Sequence, residues 1–247
     1  MHQRPLLRDA QISSDLVLVV SDPLSVKKFS ETMSSKTKAK FVDIGSPINL
    51  SKFDFENTKR KIENRKNRKA TNFLYTGRLS KFKDVKTLVD AMKLYIDHVN
   101  NNAELVIAGS GPEYENLSYQ IENFGLKNNI KLLGPISHDK VYDYLNDADM
   151  FLTASGGEGV SVSVLEAYAS GLPVVCFRVP GLEGQIKDKQ TGIFATERSS
   201  EAFYRAILEL DKIRTECSIN CLEEAKKYDS RIIANKIITE IERLNKE

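Results

Sequence analysis

Two acidic residues eight positions apart, Glu158 and Glu166, bracket the stretch of this chain richest in chemistry, SGGEGVSVSVLEAYASGLPVV at 155–175. Glu158 falls in a glycine-rich turn, and Glu166 falls in the helix its neighbours predict. Between them, the main-chain amides of Val160, Ser161 and Val162 are expected at the start of that helix. A helix start offers unpaired N–H groups and the positive end of the helix dipole, which suits a diphosphate. Gly156, Gly157 and Gly159 let a ligand come close to the backbone. Glu166 stands between Leu165 and Ala167 in an otherwise apolar helix, and a carboxylate in such a setting has a defined partner. The pattern fits a molecule with phosphates in its middle and hydroxyls at both ends.

Strands and helices alternate around this stretch. SDLVLVV at 14–20 and AKFVDI at 39–44 read as strands, with a helix near Pro23–Met33 between them. Further strands are expected at NFLYT (72–76), ELVIAG (104–109), IKLLG (130–134), MFLTAS (150–155) and PVVCF (173–177). Val85, Leu88, Val89, Met92, Tyr95, Ile96 and Val99 form one apolar stripe at helical spacing. The helix carrying Glu166 ends before Gly171, with Pro173 beyond it. Such alternation predicts an α/β fold, a Rossmann-like parallel sheet with helices on both faces. Ligands sit at the carboxyl ends of the strands in such sheets, which is where the candidate residues fall.

Composition narrows the function classes. The 247 residues are 41% hydrophobic and 28% charged, with a net charge of +2. That balance argues for no nucleic-acid partner. No run of about 18 apolar residues is present to span a bilayer, and MHQRPLLRDAQ has too short an apolar core for a secretory signal. Cys176, Cys217 and Cys221 form no disulfide framework, which points to a reducing, cytoplasmic setting. Cys217 and Cys221 read as structural. His2, His98 and His138 are scattered, so no metal site is expected. The basic run Lys59, Arg60, Lys61, Arg65, Lys66, Arg68 and Lys69 reads as a solvated linker or an exposed helix face. Its alternative is peripheral contact with anionic lipid at the inner membrane face.

The Glu158-to-Glu166 block, with AYASGLPVV after it, resembles the E-x7-E signature of family 4 retaining glycosyltransferases of the GT-B type. YTGRLSKFKDVKTLVDAM at 75–92 is similar to that family's G-R-L-x-x-x-K segment. IAGSGPEYENL at 107–117, IKLLGPIS at 130–137 and DADMFLTAS at 147–155 match further blocks in order. FVDIGSPINLSKF at 41–53 resembles the family's connection between its two domains. The resemblance implies hexosyl transfer from a nucleotide diphosphate sugar to a glycan or lipid-linked acceptor, with no metal or other cofactor, in polysaccharide or glycoconjugate synthesis. Arg78 and Lys83, after Gly77, would hold the diphosphate and stabilise the leaving group. Glu158 would orient the hexose, and Glu166 would accept hydrogen bonds from the ribose. The main chain at Leu133 and Gly134 would meet the base, and that at Val160, Ser161 and Val162 the phosphate or sugar.

Four departures qualify the likeness. In VPGLEGQIKDKQTG (179–192), Gly184 stands where the family has Glu, with Glu183 one place early. Ser161 replaces a usual Gly or Pro, and Asp84 replaces a small residue. Nothing before residue 72 resembles a glycine-rich phosphate loop. Residues 1–50 therefore read as a remnant of an acceptor-side domain with the interdomain connection, 51–71 as a basic linker, and 72–247 as the nucleotide-sugar-binding domain. A fragment, a truncated frame, or one subunit of a split enzyme whose partner chain supplies the missing half would each fit. A non-catalytic binding or assembly subunit is the rival reading, and a sugar-nucleotide epimerase a third.

Overall fold

In the computed structural model, residues 15–20, 27, 31 and 40–244 are described. The helix expected near Pro23–Met33 lies mostly outside them, as do His2 and the first residues of the chain. Two parallel strands, β1 (Leu16–Val19) and β2 (Lys40–Asp43), form a small sheet of their own. A connection then leads through a short 3₁₀ turn at Leu50–Lys52 to helix α1 (Phe55–Asn64).

The remaining strands make one parallel six-stranded sheet: β3 (Asn72–Thr76), β4 (Glu104–Ala108), β5 (Ile130–Gly134), β6 (Met150–Thr153), β7 (Val174–Phe177) and β8 (Gly192–Ala195). The order across the sheet is β5-β4-β3-β6-β7-β8. Chain direction along the sheet therefore reverses between β3 and β6, and the crevice outside their carboxyl ends is the place where such sheets bind ligands. Strands β6, β7 and β8 are buried at every position, as strands covered on both faces must be.

Crossover helices cover the sheet. These are α2 (Val85–His98), α3 (Tyr114–Asn123), α4 (His138–Asp147), α5 (Val162–Ala169) and the short α6 (Leu182–Gln185). The apolar stripe of α2 packs inward, with Leu88, Val89, Met92 and Tyr95 fully buried. Gly171 ends α5 with φ +66°, the left-handed conformation that suits a residue without Cβ. Helix α7 (Ser200–Ala225) lies along the domain against α1, α2 and α5. Helix α8 (Ser230–Leu244) then returns to the small sheet, where Ile233 closes a separate apolar cluster with Val42 and Ile44. Lys40 pairs with Glu240 at 2.6 Å across the same contact.

Most of the basic stretch is exposed, as expected, but its arginines at 65 and 68 make tertiary contacts. Arg68 makes a two-pronged bond to Asp149, at 2.8 and 3.1 Å, and the Asp149 side chain is only 1% exposed. Arg65 reaches the same carboxylate at 3.5 Å, while Lys59 and Lys66 pair with Glu56 and Glu63, each three positions back in α1. Segment 51–71 is thus mostly α1 and its exit, packed on α7. Among the described residues no helix is long and apolar enough to cross a membrane.

Candidate functional site

The segments leaving β3 and β6 meet at the reversal point and open a cleft of about 830 Å³. That volume suits a small-molecule ligand. Gly77, Arg78, Lys83, Glu158, Val160, Ser161, Val162 and Glu166 all line it. Residues from two blocks some 80 positions apart in sequence therefore share one wall-to-wall site, as the pattern of motifs predicts.

Lys83 ends the 3₁₀ turn Lys81–Lys83 after β3, and its ammonium meets the Glu158 carboxylate at 2.5 Å. Arg78 is exposed and makes no ion pair among the described residues, so its guanidinium is available to an anion in the cleft. The turn carrying Arg78 is fixed from below, because the Tyr75 hydroxyl donates to the Arg78 carbonyl at 2.9 Å. Burial and the nearby Glu158 charge keep that phenol protonated far above its ordinary range. Gly109, with φ +155°, passes directly beneath the turn: a Cβ there would lie 1.8 Å from the Gly77 carbonyl oxygen.

The Glu158 loop is pinned on two sides. The Gly156 amide donates to the Phe82 carbonyl at 2.8 Å, and the Glu158 amide to the Pro180 carbonyl at 3.0 Å. Gly181 makes this second contact possible, since a Cβ on it would sit 2.1 Å from the Glu158 oxygen. The loop after β7, where the family pattern is broken, thus acts here as a support beneath Glu158. Arg198 reaches the Ala154 and Ser155 carbonyls at 3.1 and 3.3 Å and Asp84 at 3.4 Å, bracing the ends of β6 and the Lys83 turn.

Helix α5 starts at Val162, as the spacing predicts, but one amide expected to face a ligand is already engaged. The Ser161 N–H donates to Gln185 Oε1 at 2.8 Å, and Gln185 Nε2 returns a bond to the Ser161 carbonyl at 3.2 Å. The amides left without intrahelical acceptors in the first turn are those that follow, at Val162, Ser163 and Val164. Leu133 and Gly134 are likewise one step off the cleft wall, which Pro135 and Ile136 form instead. The Gly134 carbonyl is taken by the Gly109 amide at 2.9 Å.

Glu166 is 8% exposed and faces the cleft from inside α5. Burial pushes its carboxyl above the ordinary range, and the bond and charge of His138 oppose that shift. His138 Nε2 lies 2.7 Å from Glu166 Oε1. A carboxylate can only accept, so the ring nitrogen is the donor. His138 was legible only as a scattered histidine. Its placement at the first position of α4, after the Pro135–Ser137 turn, is the signal that finds it.

Residues 55–228 match the family described as glycosyl transferases group 1. The chain belongs to that family. This group 1 domain is 34% identical over 158 residues to an uncharacterized glycosyltransferase, MJ1607, of Methanocaldococcus jannaschii, covering 63% of the chain and 39% of the relative. It is 28% identical over 162 residues to a D-inositol 3-phosphate glycosyltransferase of Corynebacterium glutamicum, covering 62% and 39%. Among solved structures it resembles the pneumococcal O-GlcNAc transferase GtfA in complex with UDP and GlcNAc, with TM-score 0.78, 24% identity and coverage of 97% and 48%. Anabaena HepE in complex with UDP follows the same fold at TM-score 0.75 and 18% identity, covering 95% and 65%. The architecture is that of GT-B glycosyltransferases. The chain spans about two fifths of the length of these two curated relatives.

Proposed function

We propose that this group 1 domain binds a nucleotide diphosphate sugar in the β3/β6 cleft and serves hexosyl transfer, with retention, to a glycan or lipid-linked acceptor. The observation that carries the reading is the convergence of Arg78, Lys83 and the α5 amino terminus on one cleft, with Glu158 and Glu166 in the same wall. Glycosyl transfer breaks the bond between the anomeric carbon and the β-phosphate oxygen, leaving negative charge on the diphosphate. A guanidinium, an ammonium and a helix start placed there stabilise that charge, and the reading assigns the task to them rather than to a metal. The acceptor oxygen bonds to the anomeric carbon on the same face, and its proton passes to the departing phosphate oxygen. Lys83 carries three donors, so it can keep Glu158 and meet a phosphate together. Glu158 is then held to accept from sugar hydroxyls, and Glu166 from ribose hydroxyls. These residue roles rest on motif resemblance and geometry together, and the family 4 assignment and the acceptor class on the resemblance.

Thermal stabilisation by UDP, GDP, ADP and their common sugars tests the site. A ligand at 100 times its Kd adds about 2.7 kcal/mol of stability. The expected result is a shift with one base, lost in Arg78→Ala and Glu166→Ala. The anomeric configuration of the transfer or hydrolysis product, read by NMR, tests retention. A second reading, a binding or assembly subunit working with a partner chain, draws on the likeness to GtfA, which has also been solved in a GtfA/B complex. Nucleotide binding without transfer, restored by an added acceptor-side half, would decide for it. Under either reading, contact with a lipid-linked acceptor at a membrane face stays a proposal, and the inward-turned Arg65 and Arg68 weaken the basic run as its docking patch.

A further inference from the structure

The ribose-binding role of Glu166 depends on the orientation and charge of a carboxylate that is almost out of water: its side chain is 10% exposed. A carboxyl group so placed stays ionised only with a partner. Among the described residues its one side-chain partner is His138, and that imidazole is 63% exposed, so burial does not hold it in place. An aromatic ladder does. The His138 ring packs edge to face on Tyr142, with centroids 5.1 Å apart at 84°. Tyr142 in turn packs edge to face on Phe53, at 5.1 Å and 83°. Lys52 sits 5.6 Å over the Tyr142 ring and pairs with Asp139, the residue after His138, at 3.2 Å. Four residues from the connection before α1 and the start of α4 thus fix one imidazole against one carboxylate.

We infer that His138 is a positioning residue for nucleoside recognition: backed by Tyr142 and Phe53, it holds the Glu166 carboxylate in place to accept from the ribose hydroxyls of the donor. The inference rests on the donor-site reading above. His138 occupies one lone-pair position of Oε1, which leaves Oε2 and the rest of Oε1 to accept from hydroxyls. Without the imidazole, the buried carboxyl takes up a proton more readily. A protonated acid offers one donor and fewer acceptors, so it no longer matches a pair of hydroxyl donors.

The test is calorimetric binding of UDP and 2′-deoxy-UDP to the whole chain, or of the GDP or ADP pair if the thermal screen selects that base. Hydrogen bonds to a charged group discriminate by about tenfold or more, and the wild type is expected to prefer the ribonucleotide by at least that factor. Glu166→Gln should lose the preference. His138→Ala should reduce it to about threefold or less, and His138→Gln, whose amide can donate, should recover part of it. A role in folding alone would leave the ribo-to-deoxy ratio unchanged. If His138→Ala keeps the wild-type ratio while Glu166→Gln has lost it, the positioning role is overturned and the Glu166 assignment stands. If neither variant changes the ratio, or no nucleotide binds, the ribose reading of Glu166 fails and takes this inference with it.

Discussion

Replacing Gln185 with Ala should cost this domain more than a 3%-exposed glutamine in a four-residue helix suggests. Its amide makes both available bonds to the Ser161 backbone, at 2.8 and 3.2 Å, and Ser161 is itself 8% exposed. Truncation leaves the buried Ser161 N–H without a partner, while the Ser161 carbonyl loses one of two bonds and keeps the Leu165 amide at 3.3 Å. The orphaned N–H costs about 1–3 kcal/mol and the lost bond to the carbonyl about 0.5–1.5 kcal/mol, so the sum is about 1.5–4.5 kcal/mol before any cavity is counted. Against a typical total of about 5–15 kcal/mol, that is a large share. It corresponds to a fall in Tm of roughly 3–18 °C for a domain of this size. Urea denaturation followed by circular dichroism measures it directly. Gln185→Glu is the sharper companion. Its carboxylate keeps the acceptor for the Ser161 amide but sets a second oxygen against the Ser161 carbonyl. It should be destabilised at neutral pH and recover as the pH falls, because the protonated carboxyl regains a donor. A loss below about 1 kcal/mol in Gln185→Ala, or no recovery with acid in Gln185→Glu, would mean that water satisfies Ser161 and that the start of α5 is not pinned from this side.

The remaining predictions concern the same neighbourhood. Glu166 has its carboxyl raised by burial, so its ionised form opposes folding: the stability this shift contributes is present below the unfolded-state pKa and is lost as pH rises through the higher folded value. Glu166→Gln should therefore be more stable than wild type at neutral pH, with the gap closing as pH falls into the ordinary carboxyl range, while its preference for the ribonucleotide is lost. Gly109→Ala forces a Cβ to 1.8 Å from the Gly77 carbonyl and should displace the Arg78 turn. The expected result is a loss of about 1–3 kcal/mol from the strained φ alone and a weakening of nucleotide affinity, read by denaturation and calorimetry on one sample. Burial raises the thiols of Cys176 and Cys221 well above their ordinary range and that of Cys217 to about 11. All three should resist a thiol reagent at pH 8 in the native chain and react at once in denaturant.

Features that depend on neighbours in sequence were legible before the structure. The apolar stripe of α2, the Gly171 stop, the strand alternation and the placement of Glu158 and Glu166 after β6 all follow from local periodicity and turn chemistry. The family pattern added Arg78 and Lys83, whose meeting with the Glu158 loop across the sheet no local rule predicts. Partnerships that arise only when distant segments pack were not legible. Gln185 looks like an ordinary loop amide until it is seen to occupy the Ser161 amide 24 positions away. His138 meets Glu166 across 28 positions, and Arg68 turns inward to Asp149 across 81. The run of seven basic residues is mostly solvated, as it reads, but charge density in sequence carries no sign of the buried carboxylate that Arg68 meets just before β6.

Helix α8 also sets a timetable for β1 and β2. A pair of parallel strands has little stability alone, and here Val42 and Ile44 find their apolar partner in Ile233. On the ribosome that partner emerges about 190 residues later, which at about 5–20 residues per second is a wait of roughly 10–40 s. For that interval β1 and β2 hold exposed apolar side chains and unpaired edges while the six-stranded sheet can already assemble. These two strands then fold after the larger sheet that follows them. A chain cut short before α8 would keep its ligand cleft but leave Val42 and Ile44 uncovered.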